Sequence, residues 1–462
     1  MNRGSSRSAV LFAVCMAHFL MPFMMSSVGI ALPVIGREFS ASALQLGLVE
    51  TSYVLSASIF LLSMGRFGDI YGRRRVFQAG LLVFGGMGGL ISQAWSIEGV
   101  ILLRFLQGMG GAMVMATSMA MIVSAFPAKQ RGRALGIAVA SVYAGISCGP
   151  LIGGLLVELL GWRSLFYLIF PLSLLTWIVT RWKIREDWAE AAGEPFDWRG
   201  ATTYAVAIML LVVSVTHLSD GLWAWGGVVL ANICLFLFLR QQAQSRYPLL
   251  DVHLLRENRV FVLSNLAALF NYAATFGVTF FLSLYLQYVK GMGPSQAGMV
   301  LILQPVVQTI FSPLCGRLSD RLPASLVATA GMALCALGLA VAATLQADSP
   351  LSVIYLLLVL LGLGFALFSS PNVSLIMGSV EPRYLGIASG LNASMRTLGM
   401  MTSMMIITLV FAYLMQDQPV TLATRPQFLA SMRLALLLFS ALCVIGIGCS
   451  LGRIKRSRPA SP

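Results

Sequence analysis

Fourteen apolar runs, each long enough to cross a lipid bilayer, dictate what this chain can fold into. They lie near 9–32, 44–64, 76–95, 98–122, 133–158, 164–181, 200–217, 222–239, 260–286, 295–316, 325–345, 351–375, 386–413 and 428–451. A helix needs about 20 apolar residues to span the hydrocarbon core, and these runs are far longer than strands. Charged residues make up only 10% of the chain, where ordinary globular proteins carry roughly a quarter. The expected fold class is an all-α integral membrane protein with fourteen transmembrane helices. Arg3 and Arg7 precede the first run as they would in a secretory signal. That run reaches Leu32, beyond the roughly 7–15 residues of a signal core, so it is read as a retained first span.

The net charge of +14 would suggest a nucleic-acid ligand in a soluble chain. Its distribution argues otherwise. With the N-terminus inside, the inner loops and both ends carry twenty-four Lys and Arg residues, while the outer loops carry only Arg37, Arg163, Lys290 and Arg425. Short-loop Lys/Arg bias sets membrane orientation. Both termini are therefore expected in the cytoplasm, with the basic surface facing anionic headgroups. The expected partners include the lipid bilayer and exclude nucleic acid.

The loop Gly65-Arg66-Phe67-Gly68-Asp69-Ile70-Tyr71-Gly72-Arg73-Arg74-Arg75 has a shorter echo in Gly316-Arg317-Leu318-Ser319-Asp320-Arg321. Gly132-x-Ala134-x-Gly136 likewise recurs as Gly386-x-Ala388-x-Gly390. Two matched pairs at nearly one offset point to a duplicated unit. The seventh and eighth runs have no counterpart, so the spans divide six, two and six. The expected organisation is an N-terminal half over 1–181, a polar connector over 182–199, an inserted helix pair over 200–240, a linker over 241–258, a C-terminal half over 259–451 and a basic tail over 452–462. The connector, with Glu186, Asp187, Glu190, Glu194 and Asp197, reads as solvated. Duplicated halves in a multi-span chain are the pattern of secondary transporters, which hold substrate between the halves near the midplane.

Other chemistries find little support. The seven cysteines all fall in predicted spans without a CxxC and read as packing residues. The three histidines, His18, His217 and His253, are far apart, so no metal, cofactor or catalytic role is expected. Gly362-Leu363-Gly364 and Gly108-Met109-Gly110 lie within spans, not after a strand as a phosphate loop would.

The motifs together resemble the major facilitator superfamily, and within it the fourteen-helix drug:proton antiporter branch. The likeness covers nearly the whole chain. The Gly65–Arg75 loop is similar to that family's cytoplasmic loop between spans two and three, with Gly65, Asp69, Gly72, Arg73 and Arg74 in place. Gly316, Asp320 and Arg321 repeat it in the second half. Arg104-Phe105-Leu106-Gln107-Gly108 resembles the intramembrane arginine motif. Gly136, Gly145, Gly149-Pro150 and Gly153-Gly154 resemble the antiporter motif of the fifth span, and Gly161-Trp162-Arg163 and Pro171 flank the sixth as in that branch. The resemblance implies a gate on the periplasmic side at the glycine face, and an inner lock in which Asp69 meets the helix that begins near Gly386. The family's usual first-span aspartate, two turns before Ala31-Leu32-Pro33, is Met24 here.

The residues carry physical expectations of their own. Gly145, Gly149 and Gly153 recur every fourth residue and line one helix face, which admits another backbone closely. That face serves either a gate or static packing. Pro150 bends its helix. Arg104 lies two turns into its span, where a charge needs a partner or a water-filled cavity. It either snorkels to the outer headgroups or faces a cavity. The cavity is favoured, with Gln107 one turn on, and Arg104 is a proton-coupling candidate beside Glu50. Arg396 raises the same question in the second half. Glu50 is the one acid well inside a span. It is either a proton-coupling group, since a carboxyl in low dielectric resists ionising, or a polar residue satisfied by water. Met24 offers adaptable apolar contact or ordinary packing. The expected function is export of amphipathic small molecules, of multidrug efflux type, from the bacterial inner membrane. It would proceed by alternating access with proton antiport, in a monomer. An uncoupled facilitator or an exporter of one native metabolite is the alternative, with a membrane-embedded enzyme or sensor further off.

Overall fold

A computed structural model of the chain describes residues 7–217, 221–250, 258–380, 385–415, 418–421 and 423–453. The side chains at 128, 129, 131–133, 135, 139, 317, 320, 385–387 and 389 lie outside that description. Among the described residues, fourteen long helices follow one another. They are α1 Arg7–Phe39, α2 Ala43–Tyr71, α3 Arg73–Ile91, α4 Ile97–Ala125, α5 Ala128–Leu160, α6 Arg163–Lys183, α7 Trp198–Thr216 and α8 Leu222–Gln244. Then come α9 Arg259–Val289, α10 formed by Pro294–Leu301 and Leu303–Arg321, α11 Ala324–Ala342, α12 Leu351–Gly378, α13 Leu385–Leu414 and α14 Arg425–Leu451. Among the described residues, thirteen helices are long and apolar enough to cross a membrane. The fourteenth is α3, whose first turn carries Arg73, Arg74 and Arg75.

Local chemistry sets the helix ends. Ser42 caps α2 by accepting from the Gln45 N–H at 3.2 Å, and its own N–H donates to Gln45 Oε1 at 2.9 Å. The Gln45 amide then donates to Glu98 at 3.0 Å, tying α2 to the first turn of α4. Asp197 caps α7 through the Gly200 N–H and also accepts from Gln242 of α8, which clips the inserted pair together. The α2–α3 reversal turns on Gly72 at φ +107°, a backbone state that side chains rarely allow.

The duplication reappears in the packing. In the first half α1 packs on α5, α2 on α4, and α3 on α4 and α6. Eight spans later α9 packs on α13, α10 on α12, and α11 on α12 and α14. The halves meet along two reciprocal seams, α2 against α13 and α5 against α10, and α1 also touches α9. The inserted pair α7–α8 packs mainly on itself, with lesser contacts to α2 and α13.

Candidate functional site

Among the described residues, the hydrogen bonds between the halves lie mid-span and toward the membrane face opposite Arg73. Two prolines prepare this region. Pro33 has no N–H for the Gly29 carbonyl one turn earlier, and Ser283 of α9 donates to that carbonyl at 2.7 Å. Gln287 and Tyr288 add bonds to the Ile30 and Pro33 carbonyls at 3.0 Å each. Pro150 likewise frees the Ile146 carbonyl, which accepts from Ser26 of α1 at 3.2 Å. Freed backbone groups inside a membrane must find partners within the protein, so proline placement fixes where these helices join.

The α2–α13 seam is made by small polar groups: Thr51 and Thr408 hydroxyls 3.2 Å apart, and Ser58 donating to the Thr397 carbonyl at 3.3 Å. On the α5–α10 seam, Gly154 lies against Pro294 and Ser295, and Gly298 lies against the Pro150 carbonyl. The Ser295 N–H donates to Glu158 at 3.1 Å.

The antiporter-type glycines divide between two jobs. Gly145, Gly149 and Gly153 face α1 of the same half, where an added Cβ at Gly149 would lie 2.5 Å from Ser26 Cβ and one at Gly153 would lie 2.7 Å from Ser27 Cβ. Ser27 also donates to the Gly149 carbonyl at 3.1 Å. Gly154 and Pro150 face the other half. Gly136 has open space around it.

Glu50, Arg104 and Gln107 come together between α2 and α4. Arg104 is fully buried and lies 3.5 Å from Glu50 Oε2. Its guanidinium donates to Gln107 Oε1 at 2.9 Å and sits 4.4 Å above the Tyr53 ring. Gln107 in turn donates to the Phe84 carbonyl at 3.4 Å. The expectation of a cavity-facing Arg104 thus gives way to a protein partner, which is the other way to accommodate a charge at that depth. Glu50 Oε1 is buried with no hydrogen-bond partner among the described residues. The trio holds a carboxyl group beside a fixed cation, with one oxygen free to take a proton. Met24 is fully buried in the apolar core.

On the opposite face the loop motif is wrapped by the connector, which is docked and not free in solvent as its composition suggested. Arg73 pairs with Asp69 at 2.7 Å and bidentately with Glu190 at 2.8 and 3.0 Å. Asp187 accepts from the Arg74 N–H at 3.0 Å and pairs with Arg75, its carboxylate filling the space beside Gly72. Arg66 pairs with Glu194. Gly65 packs near Ala116. In the second-half echo, Gly316 lies near Ser370 and Arg321 ends α10, while the Asp320 side chain falls outside the described residues. So do the side chains of 385–387, where the partner of Asp69 was expected.

Asp69→Asn is expected to slow transport severalfold with membrane insertion unchanged, because Arg73 keeps Glu190 but loses its in-motif partner. Normal transport rates in this variant, at equal protein level, would show that the pair is ornamental. An exposed pair is worth about 0.2–1 kcal/mol and this one is partly buried, so a large rate effect with little change in melting temperature marks a role in motion.

One group was not singled out from sequence. His18 of α1, Tyr143 of α5, Tyr272 of α9 and Ser369 of α12 converge with Arg396 of α13 near the middle of their helices. Their mid-span polarity was the available signal.

A family model described as Major Facilitator Superfamily matches residues 14–404 and 264–462. The chain belongs to this superfamily. It is 30% identical over 389 residues to the riboflavin transporter RibZ of Clostridioides difficile (strain 630), covering 84% of this chain and 85% of that one. It is 32% identical over 382 residues to the multidrug resistance protein Stp of Mycobacterium tuberculosis (strain CDC 1551 / Oshkosh), covering 80% and 70%. Among solved structures, a bacterial homologue of the human lysosomal transporter Spinster, inward-facing and unoccupied, superposes with a TM-score of 0.72 at 17% identity, over 98% of this chain and 99% of that one. The superfamily fold is thus shared, and this member is a multi-pass membrane transporter of small molecules.

Proposed function

We propose that this superfamily member is a secondary active exporter of amphipathic small molecules, of multidrug efflux type, driven by proton antiport through alternating access. The observation that carries the reading is an intramembrane acid paired to an arginine, beside inter-half bonds that, among the described residues, lie mid-span and toward one face. Both termini and the Arg73 loop lie in the cytoplasm of a bacterial inner membrane, following the Lys/Arg bias, so the closed face is periplasmic. Residues 1–181 and 259–451 rock about the substrate as two halves, 200–240 rides beside them, and 182–199, 241–258 and 452–462 serve as connector, linker and tail. The protein works as a monomer. Stp and a tetracenomycin C resistance and export protein of Streptomyces glaucescens, 28% identical, support efflux. The likeness to RibZ favours a second reading, export of one native metabolite.

The test is substrate-dependent proton flux in liposomes across a panel of charged and neutral amphipathic compounds. Flux with several unrelated compounds is expected. Flux with a single compound would establish the second reading, and dye movement without proton flux would make the protein a facilitator.

A further inference from the structure

Among the described residues, Arg396 is a mid-span charge left without a carboxylate once Glu50 and Arg104 are paired. Arg396 lies near the middle of α13 and is half-buried. Among the described residues, no carboxylate lies within ion-pairing distance of it. Its neighbours are hydroxyls and rings: the Tyr272 hydroxyl lies beside the guanidinium and near Ser369, Tyr143 and Ser369 hydroxyls are 3.4 Å apart, and His18 is within electrostatic range. Tyr272 packs edge to face on Phe365 with ring centroids 5.3 Å apart. These residues come from both halves, so they lie where the halves face each other, at the place a substrate held between the halves would occupy.

We infer that this place takes an amphipathic organic anion, its carboxylate, sulfonate or phosphate seated on Arg396 and its aromatic or apolar body against Tyr272 and Phe365. The inference rests on the transport reading above and names the substrate class for it. Arginine stays charged at any physiological pH, so the position is a permanent cation, and an uncompensated cation at this depth is costly. Its planar fork matches the oxygens of carboxylate and phosphate. The hydroxyls of Tyr143, Tyr272 and Ser369 donate to the same oxygens. A cationic substrate would meet like charge, and the nearest intramembrane carboxyl by role, Glu50, is already engaged by Arg104. Nor does the duplicated architecture require the charge. At the offset that maps Gly136 onto Gly390, Arg396 falls on Val142, while Tyr272 falls on His18.

The experiment is equilibrium binding to the purified protein in lipid nanodiscs, read by fluorescence anisotropy against empty nanodiscs. The probes are fluorescein, an aromatic anion, and ethidium, an aromatic cation. Wild type is expected to prefer fluorescein. Arg396→Gln should weaken fluorescein tenfold or more, Arg396→Lys should weaken it less, and ethidium should bind Arg396→Gln as well as wild type or better. Tyr272→Phe should weaken fluorescein about threefold, and it decides the matter together with the wild-type preference if Arg396→Gln does not fold. Wild-type preference for ethidium, or equal fluorescein affinity in wild type and Arg396→Gln, would overturn the inference. Because binding is read without transport, a protein that holds fluorescein through Arg396 but moves neither substrate nor proton in liposomes would sink the transport reading and leave the anion site standing.

Discussion

Glu50→Gln is expected to abolish proton-driven uphill export, lowering accumulation in vesicles at least tenfold, while downhill exchange of the same compound survives. Glutamine has the shape of the protonated acid but cannot release a proton. In the wild type, Arg104 stabilises the carboxylate, and opening of the closed face would let the carboxyl exchange with the far side. The variant is therefore locked in one protonation state. It also leaves Arg104 without its counter-charge, and breaking a buried pair costs about 3–5 kcal/mol when nothing replaces the partner. Gln107 and the Tyr53 ring still engage Arg104, so the loss is expected below that range and is read as a drop in melting temperature. Undiminished uphill accumulation by folded Glu50→Gln would assign Glu50 a structural role.

Gly298→Leu is expected to hold the closed face open and to reduce transport tenfold or more. The Cβ position at Gly298 is occupied by the Pro150 carbonyl group, whose carbon would lie 2.8 Å away. Backbone of the opposite half cannot move aside without parting the α5–α10 seam. Labelling of seam residues from that face should rise severalfold. Gly149→Leu, by contrast, wedges α1 from α5 inside one half. It is expected to lower stability, by about 1–3 kcal/mol for an overpacked interior, without selectively exposing the seam. Equal labelling in the two variants would contradict the division of the glycines described above.

The spans were legible because twenty-residue apolar runs have one fold available in lipid, and the duplication was legible from repeated glycine and arginine spacing. Partners were not. Glu50 and Arg104 stand 54 positions apart, and nothing in their local sequence says which face of α2 meets α4. Periodicity showed that Gly145, Gly149 and Gly153 share a face, but a small-residue face fits any close neighbour, and here the neighbour is α1. The acidic connector looked solvated because a run of charges reads that way in isolation. Its docking depends on Arg66, Arg73 and Arg75, which only the fold brings beneath it. The prolines carried more than was read from them, since each named an orphan carbonyl but not the serine that would reach it.

Alternating access requires the joined face to open. The most direct measurement is a disulfide across the α2–α13 seam, formed by Thr51→Cys with Thr408→Cys in a chain whose seven native cysteines are replaced. The two hydroxyls now lie 3.2 Å apart, so oxidation should cross-link the halves readily. Cross-linked protein in liposomes is expected to lose transport, and a reductant should restore it to the level of the uncross-linked variant. Full-rate transport with the cross-link intact would contradict the account.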